Sequence, residues 1–91
     1  MDSRWRIEFR VSAKDSLRRL PEDTRREVQA QILELRFDPF PSGSIELTGL
    51  KGVYRFRVGG YRVIYRVTRG QTIVIERVRA RAEAYRGFPK P

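Results

Sequence analysis

Three arginines lie close together near the middle of the chain, and no carboxylate accompanies them. Arg55, Arg57 and Arg62 are near neighbours, and residues 51–75 contain no aspartate or glutamate. A guanidinium group keeps its charge at physiological pH and presents forked N–H donors that match the oxygens of a phosphate. The pattern therefore indicates an anion-binding site, and phosphate is the anion that suits these donors.

The register of a predicted hairpin places these arginines on one face. Residues 53–58 and 61–67 alternate in polarity on either side of Gly59-Gly60, which is typical of a two-residue turn in which both glycines can take positive φ. In this register Arg57 lies opposite Arg62, and Arg55 lies two residues away on the same face. Like charges in that position are unfavourable, and a bound phosphate would relieve the repulsion. An alternative stays open, in which the long side chains spread into solvent over apolar neighbours.

Other candidate residues follow the predicted third strand of the C-terminal half. Arg79, Arg81 and Tyr85 lie at the end of that strand or beyond it. A tyrosine near arginines can stack on a base, or can exchange a proton if its pKa falls. Anchoring in the core is the alternative for Tyr85. The further cations that we expect to contact RNA are Lys51, Arg66, Arg79 and Arg86.

The net charge of +9 comes entirely from the C-terminal part of the chain. Residues 1–50 have as many cations as anions, whereas residues 51–91 contain only Glu76 and Glu83 as acidic residues. Such asymmetry favours a polyanionic partner, most simply a nucleic acid. A solvated basic face in a protein from an arginine-favouring genome is the alternative.

The composition excludes several kinds of chemistry. The sequence has no histidine and no cysteine, so it has no disulfide, no thiol nucleophile, no Cys/His zinc site and no histidine general base. We therefore expect neither a cofactor nor a metal. No apolar run approaches the ~20 residues of a membrane span, and the N-terminus lacks a signal-peptide core, which predicts a soluble cytoplasmic protein without a membrane partner.

The length predicts one domain, residues 1–91, with a single modest core. A first strand is indicated by alternation around Trp5 to Val11. Two helices follow over residues 12–37, with Ser12 as the expected N-cap of the first and Pro21 between them. Residues 38–52 form a loop, with Leu47 and Leu50 as expected core anchors.

The predicted fold is α+β, in the order β-α-α-β-β-β. Residues 72–79 are expected to form the last strand, residues 80–86 a helical turn or an extended tail, and the following residues an irregular end. We expect an antiparallel sheet with the two helices packed on one face and the other face free to be polar. The aromatic residues Trp5, Phe9, Tyr54, Phe56 and Tyr65 are assigned to the core.

The motifs, taken together, resemble the RelE/ParE toxin superfamily of bacterial and archaeal toxin–antitoxin systems. The resemblance covers nearly the whole chain: a first strand, a helix pair ending in ILELRFDP, the segment ELTGLKG, the hairpin YRFRVGGYRVIY and the terminal RVRARAEAYR occur in the family's order. It implies the RelE-like microbial RNase fold. It also implies a small antitoxin partner, acidic where it binds, that wraps the helices and covers the basic sheet face.

For the RelE branch, which we favour, the resemblance implies a ribosome-dependent endoribonuclease that cleaves mRNA in the A site. The family's catalytic positions correspond here to Arg55, Arg57, Arg62, Arg81 and Tyr85, with Arg79 as an alternative to Arg81. Arg57, Arg62 and Arg81 would hold the scissile phosphate, Arg55 would orient the RNA or aid the leaving group, and Tyr85 would be a base or a stacking partner.

Two other functions stay open. The ParE branch of the superfamily poisons DNA gyrase by binding it and generally lacks the basic constellation. A non-catalytic nucleic-acid-binding module would also carry this charge, and its affinity would depend strongly on salt.

Overall fold

The computed structural model describes residues 4–80, and these residues form two helices and a five-stranded sheet. The predicted α+β fold, with a strand followed by a helix pair and then the C-terminal strands, is confirmed. In chain order the elements are β1 (Arg6–Phe9), α1 (Val11–Arg19), α2 (Glu22–Glu34), β2 (Ile45–Glu46), β3 (Val53–Val58), β4 (Tyr61–Val67) and β5 (Thr72–Ala80).

The sheet differs from the prediction in two details. Its strand order is β1-β5-β4-β3-β2, and β1 pairs with β5 in the parallel direction, so the sheet is mixed instead of wholly antiparallel. Alternation of polar and apolar residues identifies a strand but carries no information about its direction. The second difference is β2, a two-residue strand within the predicted loop, which pairs with β3 at the other edge.

The hairpin register is confirmed at every predicted pair. Arg57 lies opposite Arg62, and Val58 lies opposite Tyr61 beside the turn. The two-residue turn at Gly59-Gly60 is therefore as predicted, and of these two glycines Gly59 has a positive φ, of 58°, whereas Gly60 does not. Positive φ at the first central residue is typical of a type II′ turn, in which the second residue needs no special conformation.

The first helix begins earlier than predicted. Arg10 is the N-cap of α1 and makes no side-chain capping bond, so the expected cap at Ser12 is wrong. The Arg10 amide donates to the Ile75 carbonyl, which continues the pairing of β1 with β5 to the residue where the helix starts. Ser12 lies inside the helix, and its hydroxyl donates to the Glu76 carbonyl oxygen, 3.2 Å away. Pro21 directly precedes α2, as predicted.

The main core lies between the helices and one face of the sheet. α1 and α2 contribute Leu17, Val28 and Ile32, which are almost fully buried. Phe56 and Tyr65 are buried in the same cluster, and Trp5, Phe9 and Tyr54 pack against it, so the assignment of these aromatic residues to the core is confirmed.

The other face of the sheet has a second, smaller core. Leu47 from the loop is buried against Val53 and Ile64, and Leu50 packs against this cluster. The two leucines are therefore core anchors, as predicted, but they cover the face that was expected to be free and polar. That expectation is wrong for this region, because Val53 and Ile64 supply an apolar surface that the loop buries.

Candidate anion-binding site

The backbone places three arginines side by side across three strands. Arg57 on β3 is paired with Arg62 on β4, and Arg62 is paired with Arg79 on β5. Paired residues on neighbouring strands have Cα atoms about 5 Å apart. This arrangement, the arginine row, extends the predicted pair by one strand and includes Arg79, which was expected to contact RNA and was the alternative to Arg81 at a catalytic position.

Arg55 and Arg62 are buried, with exposed fractions of 6% and 3%. The Nε atoms of both side chains are inaccessible and have no hydrogen-bond partner, and neither residue forms an ion pair within residues 4–80. A buried polar group without a partner costs about 1–3 kcal/mol, and a charged group costs more. Both residues were expected on an open face, and that expectation is wrong because both are buried. The prediction that they share a sheet face with Arg57 is confirmed by the register.

Arg57 is the exposed member of the row. A cleft of about 430 Å³ lies beside Arg55 and Arg57, and it is bounded by Gln31 of α2 and by the loop at residues 41–43. β2 pairs only with Tyr54 and Arg55, so this cleft adjoins the part of β3 beyond the end of β2. An anion in the cleft would meet the exposed Arg57 and the buried Arg55, which both line it, and Arg62 is the cross-strand neighbour of Arg57.

Arg79 connects the arginine row to the first helix. Its Nη1 donates to the hydroxyl of Ser16, which is itself buried in α1 and donates to the Ser12 carbonyl at 2.9 Å. Ser16 was not among the predicted site residues, although its place among the apolar positions of α1 indicates a polar side chain that faces the sheet. The contact fixes the Arg79 guanidinium towards α1.

Arg77 is a further cation of β5 that was not among the predicted site residues. It lies opposite Ile64, two residues before Arg79 on the same strand face. Burial lowers the pKa of the Arg77 guanidinium, and the charge of Arg79 lowers it further, while Glu76 acts in the opposite direction. The alternation of arginines at positions 77 and 79 was the available signal.

Glu76 provides one carboxylate that two cations beside this site share. Its carboxylate oxygens lie 3.2 Å from the Nε atoms of Arg10 and Arg66, and its side chain is 13% exposed. A register irregularity opposite Ile64 and Tyr65 leaves Glu76 without a partner on β4. Arg66, which was expected to contact RNA, is therefore paired with a carboxylate. Lys51, which was also expected to contact RNA, is exposed in the turn before β3.

The remaining predicted site residues, Arg81, Tyr85 and Arg86, lie outside the described residues, as does the predicted helical turn or tail. Within residues 4–80 there is no group of three or more Asp, Glu, His or Cys side chains that could hold a metal ion. No helix in this range is long and apolar enough to cross a bilayer. The chemistry that the described site can supply is electrostatic, because fixed guanidinium groups stabilise negative charge that develops on a phosphate.

Comparison with protein families finds one match that covers most of the chain. Residues 7–85 match the family model described as the ParE toxin of type II toxin–antitoxin system, parDE. No curated protein sequence matches the chain.

Solved structures of toxins share the fold. The chain is similar to the archaeal RelE in the RelE–RelB complex from Pyrococcus horikoshii OT3, with 29% identity, a TM-score of 0.74 and coverage of 92% of this chain and 100% of that one. The chain is also similar to RelE in the RelB–RelE antitoxin–toxin complex from Methanococcus jannaschii, with 27% identity, a TM-score of 0.73 and coverage of 90% of this chain and 99% of that one. The isolated E. coli RelE toxin has 22% identity and a TM-score of 0.75, with coverage of 91% of this chain and 93% of that one. This is a likeness in fold alone.

Proposed function

The chain belongs to the ParE toxin family of type II toxin–antitoxin systems. Within the wider RelE/ParE superfamily, we propose that it is a ribosome-dependent endoribonuclease that cleaves mRNA in the A site. Likeness to two archaeal RelE structures, with 29% and 27% identity, supports this branch of the superfamily. Membership of the toxin family is the premise, and what we propose is the target, mRNA in the A site, and the reaction, its cleavage.

The observation that carries the proposal is the burial of Arg55 and Arg62 beside the exposed Arg57. Two buried guanidinium groups with unpaired Nε atoms reduce stability, and a sheet selected for stability alone would have a carboxylate or an apolar residue there. A phosphate in the neighbouring cleft would give these groups a counter-charge. The same charges would favour the transition state of phosphodiester cleavage, in which the phosphate gains negative charge.

The proposed reaction is an internal transfer in the RNA. The 2′-oxygen of one nucleotide loses its proton and forms a bond to the adjacent phosphorus, while the bond from phosphorus to the 5′-oxygen of the next nucleotide breaks. The leaving oxygen takes up a proton, and the products are a 2′,3′-cyclic phosphate and a free 5′-hydroxyl. No water, metal or redox partner enters this step.

The residues have distinct roles in this proposal. Arg57 and Arg62 hold the scissile phosphate together with Arg81, and Arg55 orients the RNA or aids protonation of the leaving group. Arginine donates a proton poorly at neutral pH because its pKa exceeds about 12. Tyr85 is the proposed base or a stacking partner, and Tyr85→Phe separates the two roles: near-normal single-turnover cleavage would exclude the base role and leave stacking.

The deciding experiment is in-vitro translation followed by primer extension on the mRNA. We expect codon-specific breaks with the unmodified chain. With Arg57→Gln the rate should be about 10²–10³-fold lower, by analogy with the removal of one hydrogen-bond donor that stabilises a transition state. Arg19→Gln removes the same charge from the exposed end of α1 and is the matched control. Equal rates for the two variants would contradict the roles assigned here.

A second candidate function is inhibition of DNA gyrase, the activity of the ParE branch. The matching family model carries the ParE description, which favours this alternative. Intact mRNA together with gyrase-dependent DNA breaks would establish it. If neither nucleic acid is broken, the chain is a non-catalytic binding module.

The family also implies an antitoxin partner. RelE is bound to RelB in the Pyrococcus horikoshii and Methanococcus jannaschii complexes. We propose that an acidic segment of a cognate antitoxin covers the helices and the basic face of this chain. Co-expression with the neighbouring short reading frame, followed by purification of a stable complex, tests this partner.

A further inference from the structure

A second basic cleft lies at the opposite end of the sheet from the arginine row. It has a volume of about 400 Å³ and is lined by Arg4, Trp5, Arg6, Arg36, Gly70 and Gln71. None of these six residues is acidic. The cleft adjoins the turn between β4 and β5, whereas the arginine row adjoins the turn between β3 and β4.

Backbone hydrogen bonds join the three segments that form this cleft. The Trp5 amide donates to the Arg36 carbonyl at 2.8 Å, and the Arg6 amide donates to the Gln71 carbonyl at 2.9 Å. Gln71 has a φ of 56°, which is uncommon for a residue other than glycine. The segment before β1, the end of α2 and the β4–β5 turn are thus held together by main-chain contacts.

Two of the arginines are positioned to attract an anion. Arg6 is exposed, and its neighbours Trp5 and Ile7 pack against the main core, so alternation places Arg6 on the sheet face away from the helices. Arg36 is half-buried: its Nε donates to the Leu33 carbonyl at 3.3 Å, and its guanidinium carbon lies 5.3 Å from the Phe37 ring centre. Neither arginine forms an ion pair with a carboxylate in the described range.

We propose that this cleft is a second phosphate-binding site, which holds the backbone of single-stranded RNA at Arg6 and Arg36. The arginine row includes residue 62 of β4, and the cleft adjoins the turn that follows residue 67. Five residues at ~3.3 Å each, together with the turn, separate the two sites by about 20 Å. The half-buried Trp5 provides an aromatic surface beside the cations, a combination found in single-strand binding sites.

This inference goes beyond the proposed function, because binding at this cleft needs no cleavage. Trp5 is the only tryptophan in the chain, so its fluorescence reports on this cleft and not on the arginine row. The probe is a 12-nucleotide RNA with 2′-O-methyl groups, which internal transfer cannot cleave. Binding is measured from 50 to 300 mM salt with the full-length chain.

We expect the RNA to change Trp5 fluorescence and Arg6→Gln/Arg36→Gln to abolish that change. Losing two phosphate contacts should also lower the slope of log K against log salt by about 1.4, at ~0.7 per contact for single strands. Arg19→Gln, which removes one charge elsewhere, should retain the fluorescence change. Arg6→Gln alone, on the exposed strand face, should lower the slope by about 0.7, which provides a test if the double variant folds poorly.

Three results would overturn the proposal: an unaltered salt slope in Arg6→Gln, the same fluorescence response in the double variant, or a full response to inorganic phosphate at the same phosphate concentration. The third result would assign the cleft to a free anion. Arg57→Gln separates this proposal from the nuclease proposal, because it should lower the cleavage rate by about 10²–10³-fold and preserve the Trp5 response. A Trp5 response in a chain that cleaves no mRNA would support the second site while contradicting the first.

Discussion

Arg57 and Arg62 lie directly opposite each other on β3 and β4, and Arg57 is exposed whereas Arg62 is only 3% exposed. The pair thus has one charge at the surface and one beneath it. Repulsion between them is not relieved by loss of a proton, since arginine stays charged. Under the proposed function, an anion that contacts both groups would offset this repulsion.

Replacing Arg62 with an apolar side chain should therefore separate stability from activity. Arg62→Met removes a buried charge and keeps a similar volume, and such exchanges are neutral or stabilising by about 1–4 kcal/mol. We expect the free energy of unfolding in urea to stay the same or rise, while mRNA cleavage falls at least about 10²-fold. The control is Arg66→Met, which breaks a contact with Glu76 and should destabilise the fold. A large loss of stability in Arg62→Met would contradict this view of the site.

Tyr65 should make the fold sensitive to alkaline pH. Its hydroxyl donates to the Pro39 carbonyl at 2.8 Å, and burial raises its pKa to about 12. The unfolded chain loses this proton near pH 10, before the folded chain does, so stability is fully present below pH 10 and falls as the pH rises towards 12. The loss should be about 2–3 kcal/mol, at ~1.4 kcal/mol for each pKa unit.

The variant Tyr65→Phe isolates this effect. At neutral pH it should cost about 1–2 kcal/mol, because the Pro39 carbonyl loses its donor. Between pH 10 and 12 its unfolding free energy should decline less than that of the unmodified chain. Parallel pH profiles of the two proteins, measured by urea unfolding, would disprove the assignment to Tyr65.

The two glycines of the hairpin turn should respond differently to alanine. Gly59 has a φ of 58°, so Gly59→Ala should cost about 1–2 kcal/mol from backbone conformation alone, since a Cβ there meets no atom within 4 Å. Gly60 lacks a positive φ and has equal space, so Gly60→Ala should be neutral or stabilising by about 0.4–1 kcal/mol. Urea unfolding of both variants is the measurement, and equal losses would exclude the type II′ turn.

The second core predicts a large effect for a loop residue. Leu47 is 2% exposed against Val53 and Ile64, so Leu47→Ala should cost about 2–4 kcal/mol. Leu33 on α2 is 47% exposed, and Leu33→Ala should cost less than about 1 kcal/mol. A small effect at Leu47 would show that the loop does not contribute to folding stability.

Local patterns predicted much of this fold because they specify local geometry. Gly59-Gly60 and the alternation around it determined the full register of β3 and β4, and Pro21 marked the boundary between the helices. The direction of β1 was not predictable, since alternation is the same in parallel and antiparallel strands. The start of α1 was missed because strand pairing at Arg10, a long-range contact, fixes it.

The sequence pattern predicted which sheet face the candidate site residues share, but not how deeply their side chains are buried. Alternation places Arg55, Arg57 and Arg62 together, whereas the covering of two of them depends on parts of the chain distant in sequence. The contact from Arg79 to Ser16 joins residues 63 positions apart, and no local pattern indicates it. The proposed cleft around Arg36 likewise requires the N-terminal segment, α2 and the β4–β5 turn to meet.

The parallel pairing of β1 with β5 has a consequence for synthesis of the chain. The partners of residues 6–9 are residues 72–75, so the first strand has no place in the sheet until most of the chain has left the ribosome. Such long-range pairing forms late and slowly. A nascent copy therefore cannot assemble its complete sheet until residues 72–75 have emerged from the ribosome, and until then the apolar face of the first strand stays without its partner.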